Sequence, residues 1–246
     1  RNMLATARNG STPSARPLWM VASMIGRAIG AGNHSEAVRI ANEHFDHALE
    51  LPRLTKLSLI AFTRGGDSDS ARRLVERVLE AGTDDAAVAT LVVTWLLDVD
   101  RASEGYAFAK KVVAAQAEPD LRLCLATARA AIADQNPPSH ALAYLSRVQE
   151  IAGDDLPFLR HQGEILLAVG RFEQAVDVLR RAVELAPKSS NLRLLYARAL
   201  KHAQHPAEAC DEMREVVRLD PSIANRRYAV ALMLQADPAL DYGAVL

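Results

Sequence analysis

Apolar residues recur along this chain with helical spacing, and the pattern itself repeats. Over 156–185 they fall at Leu159, Leu166 and Leu167, then at Phe172, Ala175, Val176, Leu179, Ala182 and Val183. Glu173, Asp177, Arg180 and Arg181 take the opposite face of the second stretch. Spacings of three and four residues mark amphipathic helices, so the segment predicts two helices with a break between them. The next segment follows the same scheme with Leu192, Leu195, Leu200, Ala209, Met213, Val216 and Val217. Period-2 alternation is nowhere sustained. The run Val92–Leu97 has a strand-like look, yet it sits where a first helix belongs and is read as helix.

One register carries the repeat. Ala37, Ala71, Ala141, Ala175 and Ala209 stand 34 residues apart, except that 70 separate the second from the third. That gap leaves room for one more unit, with two extra residues somewhere between Asp98 and His140; Gly105 and Ala107 both fit its small position. Five residues before the alanines stand Gly32, Gly66, Asn136, Gly170 and Gln204. Glycine, and less often asparagine, tolerates the left-handed backbone that ends one helix and turns the chain into the next. Twelve residues after the alanines come Leu49, Thr83, Gly153, Pro187 and Pro221, where proline or a small residue stops the second helix. Each unit therefore reads helix, tight turn, helix, stop, and a self-match at this period predicts a solenoid of helix pairs. Small residues, Gly163 with Ala175 and Ala197 with Ala209, let the paired helices approach. A large side chain there costs about 1–3 kcal/mol in overpacking.

Gly163, Leu166, Ala175, Leu179, Ala182 and Pro187, followed by Ala197, Leu200, Ala209, Met213 and Pro221, resemble two successive tetratricopeptide repeats. The chain departs from that family at Leu159 and Arg193, where an aromatic is usual, and at Gln162 and Tyr196, where leucine is favoured. The resemblance implies an all-α fold, a right-handed superhelical solenoid of helix-turn-helix repeats. Its units would span about 18–51, 52–85, 86–121, 122–155, 156–189 and 190–223, after a flexible leader over 1–17. A capping helix over 224–236, carrying Ala224, Tyr228, Leu232 and Leu234, would close the stack before a tail at 237–246.

The resemblance also implies a groove, lined by the first helices of successive units, that holds an extended peptide or a partner helix. By helical spacing its C-terminal part carries Arg160, Glu164, Asn191, Leu194, Arg198, Lys201, His202, Asn225 and Tyr228, a basic surface with one aromatic. Its N-terminal part is expected to offer an apolar strip of Ala89, Val92, Leu96, Leu123, Ala126 and Ala130. Arg198 and Lys201, one turn apart, suit a carboxylate of a partner by charge-assisted hydrogen bonds. The competing reading pairs them with Glu208 or Asp211. The lysine-and-asparagine clamp by which some family members hold chaperone tails is not matched, because Arg160 with Glu164 and Leu194 with Arg198 stand at those places.

Composition narrows the functional classes. A formal charge of −1 and a pI near 6.7 carry no electrostatic footprint for nucleic acid. The longest apolar stretch, Ala86–Leu97, falls short of the ~20 residues that a bilayer demands. Cys124 and Cys210 have no metal-type spacing and read as small buried residues. Few cysteines fit a reducing compartment, so the cytoplasm is expected; the periplasm or a membrane-associated site is the alternative if a segment precedes Arg1.

The remaining constellations have structural readings. Gly26, Gly30 and Gly32 end a helix instead of cradling phosphate. His44 and His47 lack third and fourth ligands for zinc. Asp84-Asp85 and Asp154-Asp155 cap helices, and Asn33 with Glu36 has the form of a capping box. No catalytic residue, cofactor or metal is expected. The expected function is a non-catalytic scaffold that binds a protein or peptide within a bacterial multi-protein assembly. The alternatives are the repeat region of a larger enzyme such as a glycosyltransferase, and a self-associating structural module.

Overall fold

The computed structural model describes residues 16–236, and among them every regular element is helical. In chain order these are α1 (Leu18–Gly30), α2 (His34–Glu43), a 3₁₀ helix (Phe45–Glu50), α3 (Pro52–Gly65), α4 (Ser68–Ala81), α5 (Ala86–Asp98), α6 (Ala102–Ala115) and α7 (Leu121–Ala133). They continue with α8 (Pro138–Ala152), α9 (Leu156–Ala168), α10 (Phe172–Leu185), α11 (Ser190–His202), α12 (Pro206–Leu219) and α13 (Ile223–Ala236). The chain divides into two compact units, one up to Val92 and one from Val93, the division falling within α5. The expected leader and tail lie mostly outside the described residues.

Every helix pair turns by the same device. The N–H groups of Asn33, Asp67, Arg101, Asn136, Arg171 and His205 donate to the carbonyls of Ala28, Phe62, Leu96, Ala131, Leu166 and Leu200 at 2.8–2.9 Å. This six-to-one bond satisfies a carbonyl at the helix end, and it requires the intervening residue to be left-handed. That residue has φ of 72° at Gly32, 75° at Gly66, 60° at Asp100, 54° at Gln135, 76° at Gly170 and 65° at Gln204. The left-handed residue of the fourth turn is thus Gln135 and not Asn136. An extra residue explains the shift, since the turn 134–137 is one longer than the turn 99–101. The second extra residue enlarges the loop 116–120.

Small residues then let the second helix of each pair close on the first. Ala37, Ala71, Ala141, Ala175 and Ala209 are at most 1% exposed. In the third pair Gly105 takes their place, five residues after left-handed Asp100, and a Cβ added to it would stand 3.4 Å from the Cβ of Leu96. This settles the phase against Ala107.

Caps start the helices. The N–H groups of Val88, Leu123 and Phe158 donate to Asp85, Asp120 and Asp155, each at 2.8 Å, and that of Glu36 donates to Asn33 at 3.2 Å. Each acidic pair therefore splits its roles. Asp85 and Asp155 cap, whereas Asp154 forms an ion pair with Arg181. The capping box at Asn33 is one-sided, because the Glu36 carboxylate is held by Arg39 at 2.7 Å.

The first repeat departs from the expected pattern. Its second helix stops at Glu43, ahead of Leu49, and a 3₁₀ helix follows. Three residues per turn place Phe45 and Ala48 on one face, and both are buried. Phe45 meets the ring of Phe62 at 6.1 Å between centroids. Arg73 and Arg77 cover its other side, and Arg77 donates to the carbonyls of Phe45 and Asp46 at 3.0 and 3.1 Å. His44 precedes this turn while His47 reaches Glu50 at 2.6 Å, and no metal-type cluster occurs among the described residues.

At the other end α13 packs on α12. Among its described side chains Ala229 is buried, Ala224 exposed and Tyr228 half-buried. The side chains of Leu232 and Leu234 lie outside the described residues. Cys124 and Cys210 are buried and unpaired, and burial raises both thiol pKa values.

Candidate functional site

Register fixes which side chains share a face. Glu164 and Arg198 occupy equivalent places on α9 and α11, 34 residues apart, and Ala168 and His202 lie one turn further along the same helices. These residues, with Leu167, Phe172 and Leu195, line a cavity of about 310 Å³. A second cavity of about 350 Å³ shares Glu164 and Ala168 with it and extends to Asp98, Arg129, Ile132 and Ile165. Together they form a trough across the end of α5 and along α7, α9 and α11, within the second unit.

Its charges are not evenly satisfied. Glu164 is doubly held, by Arg160 Nε at 3.1 Å and by His161 Nδ1 at 3.0 Å. An ionised carboxylate only accepts, so the proton of His161 sits on Nδ1. These partners hold the Glu164 carboxyl below its ordinary value, the His161 bond chiefly, against burial that opposes it. Arg198 and Lys201 form no ion pair among the described residues. Glu208 turns to His205 at 3.6 Å, and Asp211 to Arg214, so the expected quenching of the two cations by these acids does not occur.

Both cations act on Tyr228, although Lys201 and Tyr228 line neither cavity and stand beside the trough's Arg198 end. Lys201 Nζ lies 5.7 Å from the centre of its ring, a cation–π distance. Burial pushes the Tyr228 phenol up, and the charge of Arg198 pulls it back. His202 stacks on Phe172 at 5.0 Å with the rings 20° apart.

Other sequence-derived positions are not gathered here. Asn191 is exposed on the first turn of α11, and half-buried Leu194 lines neither cavity. Asn225 is consumed by the turn before α13, donating to the Asp220 carbonyl at 3.1 Å and carboxylate at 2.9 Å. The expected apolar strip is core. Ala89, Val92, Leu96, Leu123, Ala126 and Ala130 are at most 5% exposed and are unavailable to a partner. The trough instead takes Asp98, Arg129 and Ile132 from this part of the chain. Arg129 stands 35 residues before Glu164, so the repeat itself carried the signal.

The family profile described as tetratricopeptide repeat matches residues 166–237, from the end of α9 through α13. Over those residues the chain carries tetratricopeptide repeats. Solved tetratricopeptide-repeat structures resemble it over most of its length. PilW, a widely conserved type IV pilus biogenesis factor, superimposes with a TM-score of 0.74 at 12% identity, covering 87% of this chain and 98% of PilW. PilF from Pseudomonas aeruginosa gives 0.68 at 13% identity over 87% of this chain and 96% of its own. MamA from Desulfovibrio magneticus RS-1 gives 0.55 at 18% identity over 67% and 90%. At these identities the likeness is one of fold. No curated protein matches by sequence.

Tetratricopeptide repeats place first helices side by side, and in this chain α7, α9 and α11 supply most of the trough. No helix among the described residues is long and apolar enough to cross a membrane.

Proposed function

We propose that this tetratricopeptide-repeat chain is a non-catalytic scaffold whose trough holds an acidic segment of a partner protein within a multi-protein assembly. The observation that carries the reading is the pair Arg198 and Lys201, cations without an acidic partner beside the ring of Tyr228. Several surface arginines elsewhere on the molecule have taken carboxylates of their own helix, as Arg39, Arg72 and Arg218 do with Glu36, Asp69 and Glu215. A partner carboxylate at Arg198 and Lys201 gains charge-assisted hydrogen bonds without first breaking an internal pair. Aliphatic Leu195 and Ile132 along the same trough supply the apolar contact that turns a charge encounter into a complex. The two buried, unpaired thiols suit a reducing compartment, and the cytoplasm is the proposed location.

The test is affinity capture of the partner from the native organism, followed by binding measurements on Arg198→Glu/Lys201→Glu. Affinity should fall by about tenfold or more, corresponding to roughly 1.4 kcal/mol, and should weaken with added salt in the wild type. Helical content and melting should stay as they were. Equal affinity of the variant and the wild type would remove the trough from the mechanism.

A further inference from the structure

A further cavity lies away from the trough. A cleft of about 510 Å³ opens between α8 and α10, with α9 as its floor. α8 touches α9 only lightly, far less than α10 touches α11 at the next junction between repeats.

Three glutamines face this cleft, one from each helix: Gln149, Gln162 and Gln174. None of the three carboxamides has a hydrogen-bond partner among the described residues. Gln162 is the telling one, because it is only 7% exposed. It fills the place where tetratricopeptide repeats favour leucine, and its amide, which has no partner in the protein, faces the cavity. In the following repeat the same position is Tyr196, whose hydroxyl accepts from Arg180 Nε at 3.3 Å. In the preceding one it is Thr127, whose hydroxyl donates to the Leu123 carbonyl at 2.6 Å. In the second repeat it is Ser58, whose hydroxyl also lacks a partner but lines none of the described cavities, whereas Gln162 opens onto one.

Carboxamides both donate and accept, so three in a row match a ligand that alternates donors and acceptors along its length. An extended peptide main chain does so. Leu142, Leu145, Leu166 and Val178 give the cleft an aliphatic wall suited to one apolar side chain, and no aromatic ring is present on which a base or a sugar would stack. The charges agree. Asp177 is matched by Arg180 and Arg181 by Asp154, which leaves Arg171 as the unmatched cation at the cleft.

We propose that the cleft between α8 and α10 is a second binding site, for an extended peptide segment of another protein that pairs its main-chain amides with Gln149, Gln162 and Gln174, seats an aliphatic side chain beside Leu142 and Val178, and offers a carboxylate to Arg171. The site is separate from the trough and does not depend on the reading given to it.

Panning a displayed library of random linear dodecapeptides on the full chain, and titrating the selected peptides against variants, tests the proposal. Peptides should emerge that bind Gln162→Leu at least about tenfold more weakly than wild type and bind Arg198→Glu/Lys201→Glu unchanged. The free Gln162→Leu protein should melt at the wild-type temperature or about 2–4 °C higher, which a purely structural role for the amide does not allow. Gln149→Ala/Gln174→Ala, altered only on exposed helix faces, should lose binding likewise and guards against a folding defect in the first variant. The proposal is overturned if no selected peptide distinguishes these variants from wild type. It is equally overturned if the selected peptides are lost on Arg198→Glu/Lys201→Glu, or if a glycan array or a single-stranded oligonucleotide pool, and not the peptides, binds in a Gln162-dependent way.

Discussion

Gly163 on α9 lies directly beneath Leu179 on α10: a Cβ added to the glycine would stand 2.5 Å from the Leu179 Cγ. That is well inside van der Waals contact, and the obstructing atom is the branch point of the side chain, which cannot swing aside. Gly163→Ala should therefore destabilise the chain. Overpacking costs about 1–3 kcal/mol, and the better helix propensity of alanine returns about 1 kcal/mol. A net loss of up to about 2 kcal/mol lowers the melting temperature by up to roughly 8 °C. Calorimetry of Gly163→Ala, Leu179→Ala and the double variant checks it, since the two losses should be less than additive when one contact underlies both.

The helix-pair turns allow an opposite experiment. Gln204 holds φ at 65°, where a Cβ crowds the following carbonyl, at a cost of about 1–2 kcal/mol. Glycine removes that strain but gains freedom in the unfolded chain, worth about 0.5–1 kcal/mol against it. Gln204→Gly should therefore raise the melting temperature slightly, and Gly170→Ala, at φ 76°, should lower it by more. Urea denaturation of both variants measures the pair, and a stabilised Gly170→Ala would refute the turn geometry as the controlling factor.

How far the fold could be read from the residues depended on how locally each feature is determined. Turn glycines were legible because so few residues accept that backbone, and the register alanines because the period multiplies a weak signal. Gly105 was ambiguous for the same reason that it matters. A glycine inside a helical stretch resembles a breaker until its contact with Leu96 is known. The 3₁₀ helix was not legible, since it depends on Arg77 reaching back to the Phe45 carbonyl from a separate helix. In the candidate site, Glu164 and Arg198 followed from spacing. Ala126 and Ala130 were misplaced because α7 is buried around most of its circumference, leaving little apolar contrast to mark a face.

Arg193 occupies a place where the family usually has an aromatic, and it makes a different kind of bond. Its Nη1 lies 2.5 Å from Glu212 on α12, with the two side chains 16% and 21% exposed, and its Nε donates to the Pro187 carbonyl at 2.8 Å. Removing one partner leaves the other charge poorly solvated. Glu212→Ala should cost about 1–3 kcal/mol, less than the 3–5 kcal/mol typical of a fully buried pair. Arg193→Leu/Glu212→Leu should recover most of that loss, because two apolar side chains of similar reach carry no desolvation penalty. Chemical denaturation of the single and double variants gives the answer, and a double variant weaker than either single would contradict it.

Glu164 ties the trough to pH. Its carboxyl lies below the ordinary 4.5 in the folded protein, through the His161 hydrogen bond first and then Arg160, with burial acting in the other direction. Arg129 and Asp98 on one side, and Arg198 and His202 on the other, line the same cavities. A depressed carboxyl contributes stability that is complete above its unfolded pKa and disappears as pH falls through the folded one. The contribution of the Glu164 carboxyl to the stability difference between wild type and Glu164→Gln should hence shrink progressively as pH falls below about 4.5. Because the side chain is one-third exposed, solvent screening keeps the effect modest, and added salt should reduce it further. Melting curves of the two proteins across pH 7 to 3 at low and high salt decide the matter: a gap that widens on acidification would mean that Glu164 is destabilised by its surroundings and that the His161 bond does not govern it.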